Sequence, residues 1–319
     1  MPLKVNTLSK RYGNNWVLKD ASFEAFEGEI LGIFGPTGSG KGTVLKIVSG
    51  HEAAHGGSIF WQDREVTKLN SAERDFSTYP ISEGTGLRSL LGLSKPAGSK
   101  ADAIEKAIEN STNVLLLDDP FCGFDTILRK ATIEKLRLAV KERHLTVLFA
   151  TADYDQIFEI CDRVAILVNQ EIPQQGTPQE VYDRPSCVSV AEIVGRNNIL
   201  SSRRLTSSKS DHPEFMTLPG EHRLFAERAD IKVLGAINKN VRLAIRPENI
   251  SISFGASFPE DNLLKAIVTD VKPLGASTLV KLDSNGLKLE ALVVRLVGLN
   301  VGEECMIGLP PDRIQVLPY

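Results

Sequence analysis

One glycine-rich stretch constrains this chain more than any other. Gly35-Pro36-Thr37-Gly38-Ser39-Gly40-Lys41-Gly42-Thr43 follows Ile30-Leu31-Gly32-Ile33-Phe34, a nearly all-apolar run of the kind buried on both faces of a parallel sheet. It leads into Thr43-Val44-Leu45-Lys46-Ile47-Val48, which reads as a helix ending at Gly50. Strand, glycine loop and helix together form the setting in which backbone N–H groups wrap a phosphate. The glycines permit close approach, the helix N-terminus adds a positive dipole, and the lysine reaches the outer phosphates. Gly35, Gly38, Ser39, Gly40, Lys41, Gly42 and Thr43 are therefore candidate phosphate-binding residues. The competing reading of the same residues is a strand-to-helix turn without a ligand. The residue after the lysine should carry a hydroxyl for Mg²⁺. Here it is Gly42, and Thr43 comes one place late, so metal positioning is expected to be impaired.

The surrounding pattern is α/β. Strand signals lie at 3–8, 21–26, 29–34, 113–117, 145–151 and 163–168, and helix signals at 101–110, 127–143 and 155–161. Strands alternating with helices argue for a parallel sheet with crossovers. After about Gly195 the pattern changes to short strands at 241–245, 250–254, 264–271, 277–282, 287–294 and 304–309, the spacing of a small β-barrel. The stretch 206–214 is polar and reads as a mobile loop. The expected domains are thus 1–195 and 196–319.

Composition excludes several classes. Lys and Arg total 37 against 40 Asp and Glu, and aromatic residues are only 6%, so neither the basic excess nor the stacking surface of a nucleic-acid binder is present. Cys122, Cys161, Cys187 and Cys305 form no CxxC pair, which favours a reducing compartment over a disulfide or zinc framework. His51, His55, His144, His212 and His222 show no convincing ligand spacing. The N-terminal residues lack a signal-peptide stretch, and no window approaches ~20 apolar residues. The expectation is a cytoplasmic chain.

Several segments together resemble the ATP-binding subunits of ABC transporters. Beyond the loop these are Lys10-Arg11-Tyr12-Gly13, Ser71-Ala72-Glu73-Arg74-Asp75, Leu115-Leu116-Leu117-Asp118-Asp119-Pro120, Phe124-Asp125, the run 162–167 and the run 175–182. Ile245-Arg246-Pro247-Glu248-Asn249-Ile250 and the run 307–313 resemble the OB-like, or TOBE, regulatory domain of the importer subgroup for sugars, ferric iron and polyamines. The resemblance implies an ABC-type P-loop sheet followed by an all-β OB-like barrel. It implies ATP as ligand, with Tyr12 stacking on adenine and Asp118 reaching Mg²⁺ indirectly. It also implies transmembrane permease subunits and a second ATPase subunit, of the same or a different chain, as partners. The location implied is peripheral, on the inner face of the cell membrane.

The departures from the family pattern are as informative. The signature Leu-Ser-Gly-Gly-Gln is absent; the nearest segment is Leu93-Ser94-Lys95-Pro96-Ala97, where Pro96 lacks an N–H donor. No glutamine occurs between Gln62 and Gln156, so the glutamine loop has lost its residue. The interval from Lys41 to Leu93 is short, which implies a helical subdomain truncated around 76–100. Asp119 stands where the family has a catalytic glutamate, one methylene short of general-base reach. Ala152, in Thr151-Ala152-Asp153, replaces the switch histidine. The function expected is an importer ATP-binding subunit, weak or inactive in hydrolysis by itself, as the degenerate half of an asymmetric pair. The alternative is a nucleotide-sensing or scaffold protein without transport.

Overall fold

The computed structural model describes residues 2–79, 97–205, 212–229, 231–234, 236–253, 262–294 and 298–318. Residues 93–96 of the nearest signature segment, and most of the interval 76–100, lie outside them. The chain divides into two compact units, Met1–Asp183 and Arg184–Tyr319. The division falls ahead of the compositional change near Gly195. The short helix Val188–Ile193 packs Val188 and Ala191 with Ala244 and Leu317, and so joins the second unit.

The first unit contains two sheets. Strands β1 (Leu3–Tyr12), β2 (Asn15–Ala25), β4 (Gly56–Trp61) and β5 (Arg64–Glu65) form an antiparallel sheet in the order β2-β1-β4-β5. Strands β3 (Ile30–Phe34), β6 (Ser77–Tyr79), β7 (Val114–Asp118), β8 (Thr146–Thr151), β9 (Arg163–Val168) and β10 (Glu171–Gly176) form the second, in the order β10-β9-β3-β8-β7-β6. All its pairings are parallel except β10 with β9. Every residue of β3 and β8 is buried, which is why these strands read as continuous apolar runs rather than alternating ones.

Helix α1 (Lys41–Val48) sits in the core that the two sheets share. Its Val44, Leu45, Ile47 and Val48 are buried with Leu3, Leu8, Leu18 and Phe23 on one side and Ile33, Leu116, Leu148 and Ala165 on the other. The C-terminal carbonyls of α1 are bound by a buried cation. Arg74 donates to Ile47 O at 2.6 Å and Val48 O at 2.7 Å, and also to Leu69 O and Thr67 O. A cation at this end complements the helix dipole and satisfies otherwise orphaned carbonyls. Arg74 is itself held by a one-turn helix, Ser71–Arg74, with a capping box between Asn70 and Glu73.

Among its described residues the second unit is β-structure apart from short helices and helical turns. Strands β11 (Asn198–Arg204), β12 (Glu214–Thr217), β13 (Arg223–Phe225), β14 (Asn240–Ile245) and β20 (Gln315–Leu317) make one antiparallel sheet, in the order β13-β12-β11-β14-β20. Strands β15 (Ser251–Ser253), β16 (Asn262–Pro273), β17 (Thr278–Ser284), β18 (Leu287–Val293) and β19 (Glu304–Leu309) make the other, in the order β15-β19-β16-β17-β18. Both face one core, in which Leu200, Phe215 and Leu243 meet Leu264, Val280, Leu289 and Ile307. Strand β16 alternates buried and exposed residues along most of its length, as a strand with one wet face must. Glu214, expected in a polar loop, opens β12 instead; its side chain is buried and its carboxylate faces Arg223 at 3.4 Å. Residues 206–211 of that expected loop lie outside the described residues. Among the described residues no helix is long and apolar enough to cross a membrane.

Candidate functional site

The glycine loop leaves the end of β3 under tight steric control. A Cβ on Gly35 would stand 2.2 Å from the backbone oxygen of Leu167 and 2.8 Å from Ser39 Oγ, so no larger residue fits. Gly38 and Gly40 have φ of 83° and 105°, in the left-handed region that glycine enters at no steric cost. Gly40 is the N-cap of α1 and offers no side-chain cap, leaving the first N–H groups of the helix open to a ligand. The Ser39 hydroxyl is buried without a hydrogen-bond partner.

Lys41 bends back over the loop that precedes it. Its Nζ donates to Gly35 O at 2.7 Å and Pro36 O at 2.8 Å. Burial pushes its pKa down, against the opposing pull of Asp118 and Asp119. The ammonium thus ties the first turn of α1 back to the start of the loop.

The two aspartates lie at the C-terminal end of β7, the edge of a parallel sheet where ligands bind. Burial raises the pKa of Asp118, the charge of Asp119 adds to the rise, and Lys41 and Lys46 oppose it. Asp119 is also raised by burial, with Lys41 opposing and Asp153 adding. Asp119 takes φ of 43°, and its N–H bonds Ala150 O at 2.9 Å. The turn that carries it is anchored by Phe121, buried against Phe149 with ring centroids 5.6 Å apart. Asp118 faces Gly42: a Cβ on that glycine would lie 3.1 Å from Asp118 Oδ2.

These elements enclose a cleft of about 480 Å³. It is lined by Tyr12 from β1, by Gly38, Gly40, Lys41, Gly42 and Thr43 of the loop and helix, by Asp118 and Asp119, and by Ala152 after β8. The structure therefore brings most of the sequence-derived candidates to one place. Gly35 and Ser39 do not line the cleft and shape the loop from behind. Ala152 adds no polar group there. Its neighbour Asp153 is occupied as a helix cap, accepting from Asp155 N at 3.0 Å and Gln156 Nε2 at 2.9 Å. Asp125 is likewise a cap, accepting from Leu128 N at 2.8 Å.

Lys10, Val17, Lys46 and Glu52 were not among the candidates. Val17 and Lys46 line the cleft. The Tyr12 hydroxyl donates to Glu52 Oε2 at 2.7 Å, and Lys10 Nζ lies 2.8 Å from Glu52 Oε1. Burial pushes the Glu52 carboxyl up, but hydrogen bonds from Lys10 and Tyr12 outweigh it and hold it below the usual range. Lys10 shares a strand face with Tyr12 two residues on, a period-two signal that could have found it. Glu52 sits in a loop and gives no pattern.

The profile of the ABC transporter family matches residues 18–84, and that of the TOBE domain matches residues 243–317. The sulfoquinovosyl glycerol transport ATP-binding protein of Agrobacterium fabrum is 27% identical over 98% of this chain and 96% of that protein. The molybdate/tungstate import ATP-binding protein of Pyrococcus horikoshii is 28% identical over 99% of this chain and 100% of that one. The spermidine/putrescine import ATP-binding protein of Clostridioides difficile is 25% identical over 99% and 97%. Among solved structures, a nucleotide-free ATP-binding cassette from an ABC transporter aligns with a TM-score of 0.48 and 19% identity, covering 61% of this chain and 100% of that one.

Proposed function

Since the chain belongs to the importer-type ABC transporter ATP-binding subunits that carry a TOBE domain, we propose that it binds adenine nucleotide in the Tyr12–P-loop cleft and hydrolyses it slowly or not at all by itself. The observation that carries this reading is the composition of the cleft. Its binding end has an aromatic ring at Tyr12, open loop N–H groups and Lys41. Its phosphate end has Gly42, Asp119 and Ala152 where a metal ligand, a general base and a γ-phosphate sensor would be needed. Groups that act as a unit in catalysis lose most of their effect when any one is removed.

The donor set does not fit a firmly held magnesium ion. Mg²⁺ requires a near-octahedral oxygen shell. Gly42 contributes no hydroxyl beside Asp118. On this reading the loop and Lys41 hold the nucleotide without help from the metal.

The relatives are named as import or transport ATP-binding proteins. By that analogy the chain docks on transmembrane permease subunits at the inner face of the membrane. It pairs there with a second ATPase subunit that supplies the intact signature segment of a composite site. The relatives' names span a sulfoquinovosyl glycerol, molybdate or tungstate, and polyamines, so they assign no solute to this chain. Steady-state ATPase of the purified full chain with Mg²⁺ tests the reading. Turnover well below ~1 s⁻¹ is expected, and a rate in the ordinary enzyme range overturns the degenerate assignment. Purified transport complexes should contain a second, non-identical ATPase subunit.

A further inference from the structure

The Tyr12 ring is held more firmly than an exposed tyrosine on a hairpin needs to be. Its hydroxyl donates to Glu52 Oε2 at 2.7 Å. The second oxygen of Glu52 meets Lys10 Nζ at 2.8 Å, and that ammonium also donates to Ala53 O at 2.6 Å. Lys10 Nζ stands over the Tyr12 ring as well, 5.3 Å from its centroid. The ring is therefore fixed at its hydroxyl and covered on one face. Tyr12 nevertheless lines the cleft and keeps 48% of its surface exposed. Ordering a free side chain on binding costs conformational entropy. Fixing it beforehand removes that cost and sets the plane in which a flat ligand stacks.

We propose that Glu52 is a positioning residue for base recognition: bridging Lys10 and the Tyr12 hydroxyl, it holds the Tyr12 ring in the orientation that receives the adenine of a bound nucleotide. The inference rests on the nucleotide reading above. Glu52 touches no ligand itself. It acts through Tyr12, while Lys10 keeps its carboxylate ionised and aimed.

A purely structural role for Glu52, tying the 51–55 loop to β1, would disturb the phosphate end as much as the base end. Two ligands separate the cases: ATP, and inorganic tripolyphosphate, which has no base. Both are titrated calorimetrically into the full chain, as wild type, Tyr12→Phe, Glu52→Gln and the double variant. Tyr12→Phe keeps the ring and loses only the anchor. A glutamine at 52 puts an NH2 donor in place of one carboxylate oxygen, so it cannot receive Lys10 and Tyr12 on two separate oxygens as the glutamate does. Each single variant should weaken ATP about fivefold, the worth of one net hydrogen bond. The double variant should be no weaker than either single, because both cut the same link. Tripolyphosphate affinity should not change. Unchanged ATP affinity in either single variant, losses that multiply, or a parallel loss of tripolyphosphate would each overturn the assignment. A wild-type chain that binds neither ligand overturns the nucleotide reading itself, and this inference falls with it. A wild-type chain that binds both equally removes base recognition alone.

Discussion

Gly42 presents its bare Cα to Asp118: a Cβ built there would stand 3.1 Å from Asp118 Oδ2. On the proposed reading, a hydroxyl at position 42 would stand beside the carboxylate expected to reach Mg²⁺. Gly42→Ser should therefore make ATP affinity respond to magnesium, with binding about tenfold tighter in Mg²⁺ than in EDTA. The contact is tight, so the carboxylate must yield by a few tenths of an ångström. Calorimetric titration of the variant in the two buffers checks this. Identical affinities would show that the serine restores no ligand.

Asp118 carries a cost in the folded state. Its pKa is raised, chiefly by burial, so the folded chain binds a proton more readily than the unfolded one. Stability then falls as pH rises from the ordinary carboxylate value through the raised one, and stays lower above it. Asp118→Asn removes that penalty. It should raise the Tm at pH 7 by about 2–4 °C, with the gain shrinking toward zero as pH falls below the ordinary carboxylate range. Thermal scans of both chains across pH 3.5–8, a window set by carboxylate titration, test the sign. A lower Tm for the variant at pH 7 would place Asp118 in a net stabilising role.

Arg74 binds four backbone carbonyls from within the first unit, two of them at the C-terminus of α1. Arg74→Met keeps the buried stem and strands those carbonyls. The expected loss is roughly 2–4 kcal/mol, larger than that of a surface arginine because each orphaned acceptor retains its desolvation penalty. Urea denaturation measures it. A loss below about 0.5 kcal/mol, the range of ordinary surface changes, would mean that water replaces the guanidinium.

Gly35 has no room for a methyl group, since the Leu167 oxygen lies 2.2 Å from where it would be. Gly35→Ala should push β3 and β9 apart at the mouth of the loop and abolish ATP binding. A chain that remains folded by circular dichroism and binds ATP normally would show that the strand ends move freely.

Much of this architecture is legible in the sequence, for identifiable reasons. The loop announces itself because glycines at 35, 38 and 40 and a lysine at 41 follow a strand with no polar residue. Strands β3, β7 and β8 are plain because burial on both faces makes them continuously apolar. The ends of β1 and β2 are less legible. They run on to Tyr12 and back to Asn15 through exposed polar residues, where hairpin pairing rather than burial defines the strand. Strands β12 and β13 are too short and too mixed to show a period. Arg74 is hidden by its type, because arginine is seldom buried and its carbonyl partners have no sequence signature. Glu52 is a single loop carboxylate whose role exists only once β1 and α1 are brought together.

On the proposed function, the loop and Lys41 bind nucleotide without the metal's help. The most direct test is the affinity of the purified full chain for ATP in Mg²⁺ and in EDTA, with Lys41→Ala as the control. The prediction is measurable binding in both buffers, equal within about twofold, and a loss of at least about tenfold on removing the lysine. No binding in either buffer, or binding at least about tenfold tighter with Mg²⁺, would contradict it.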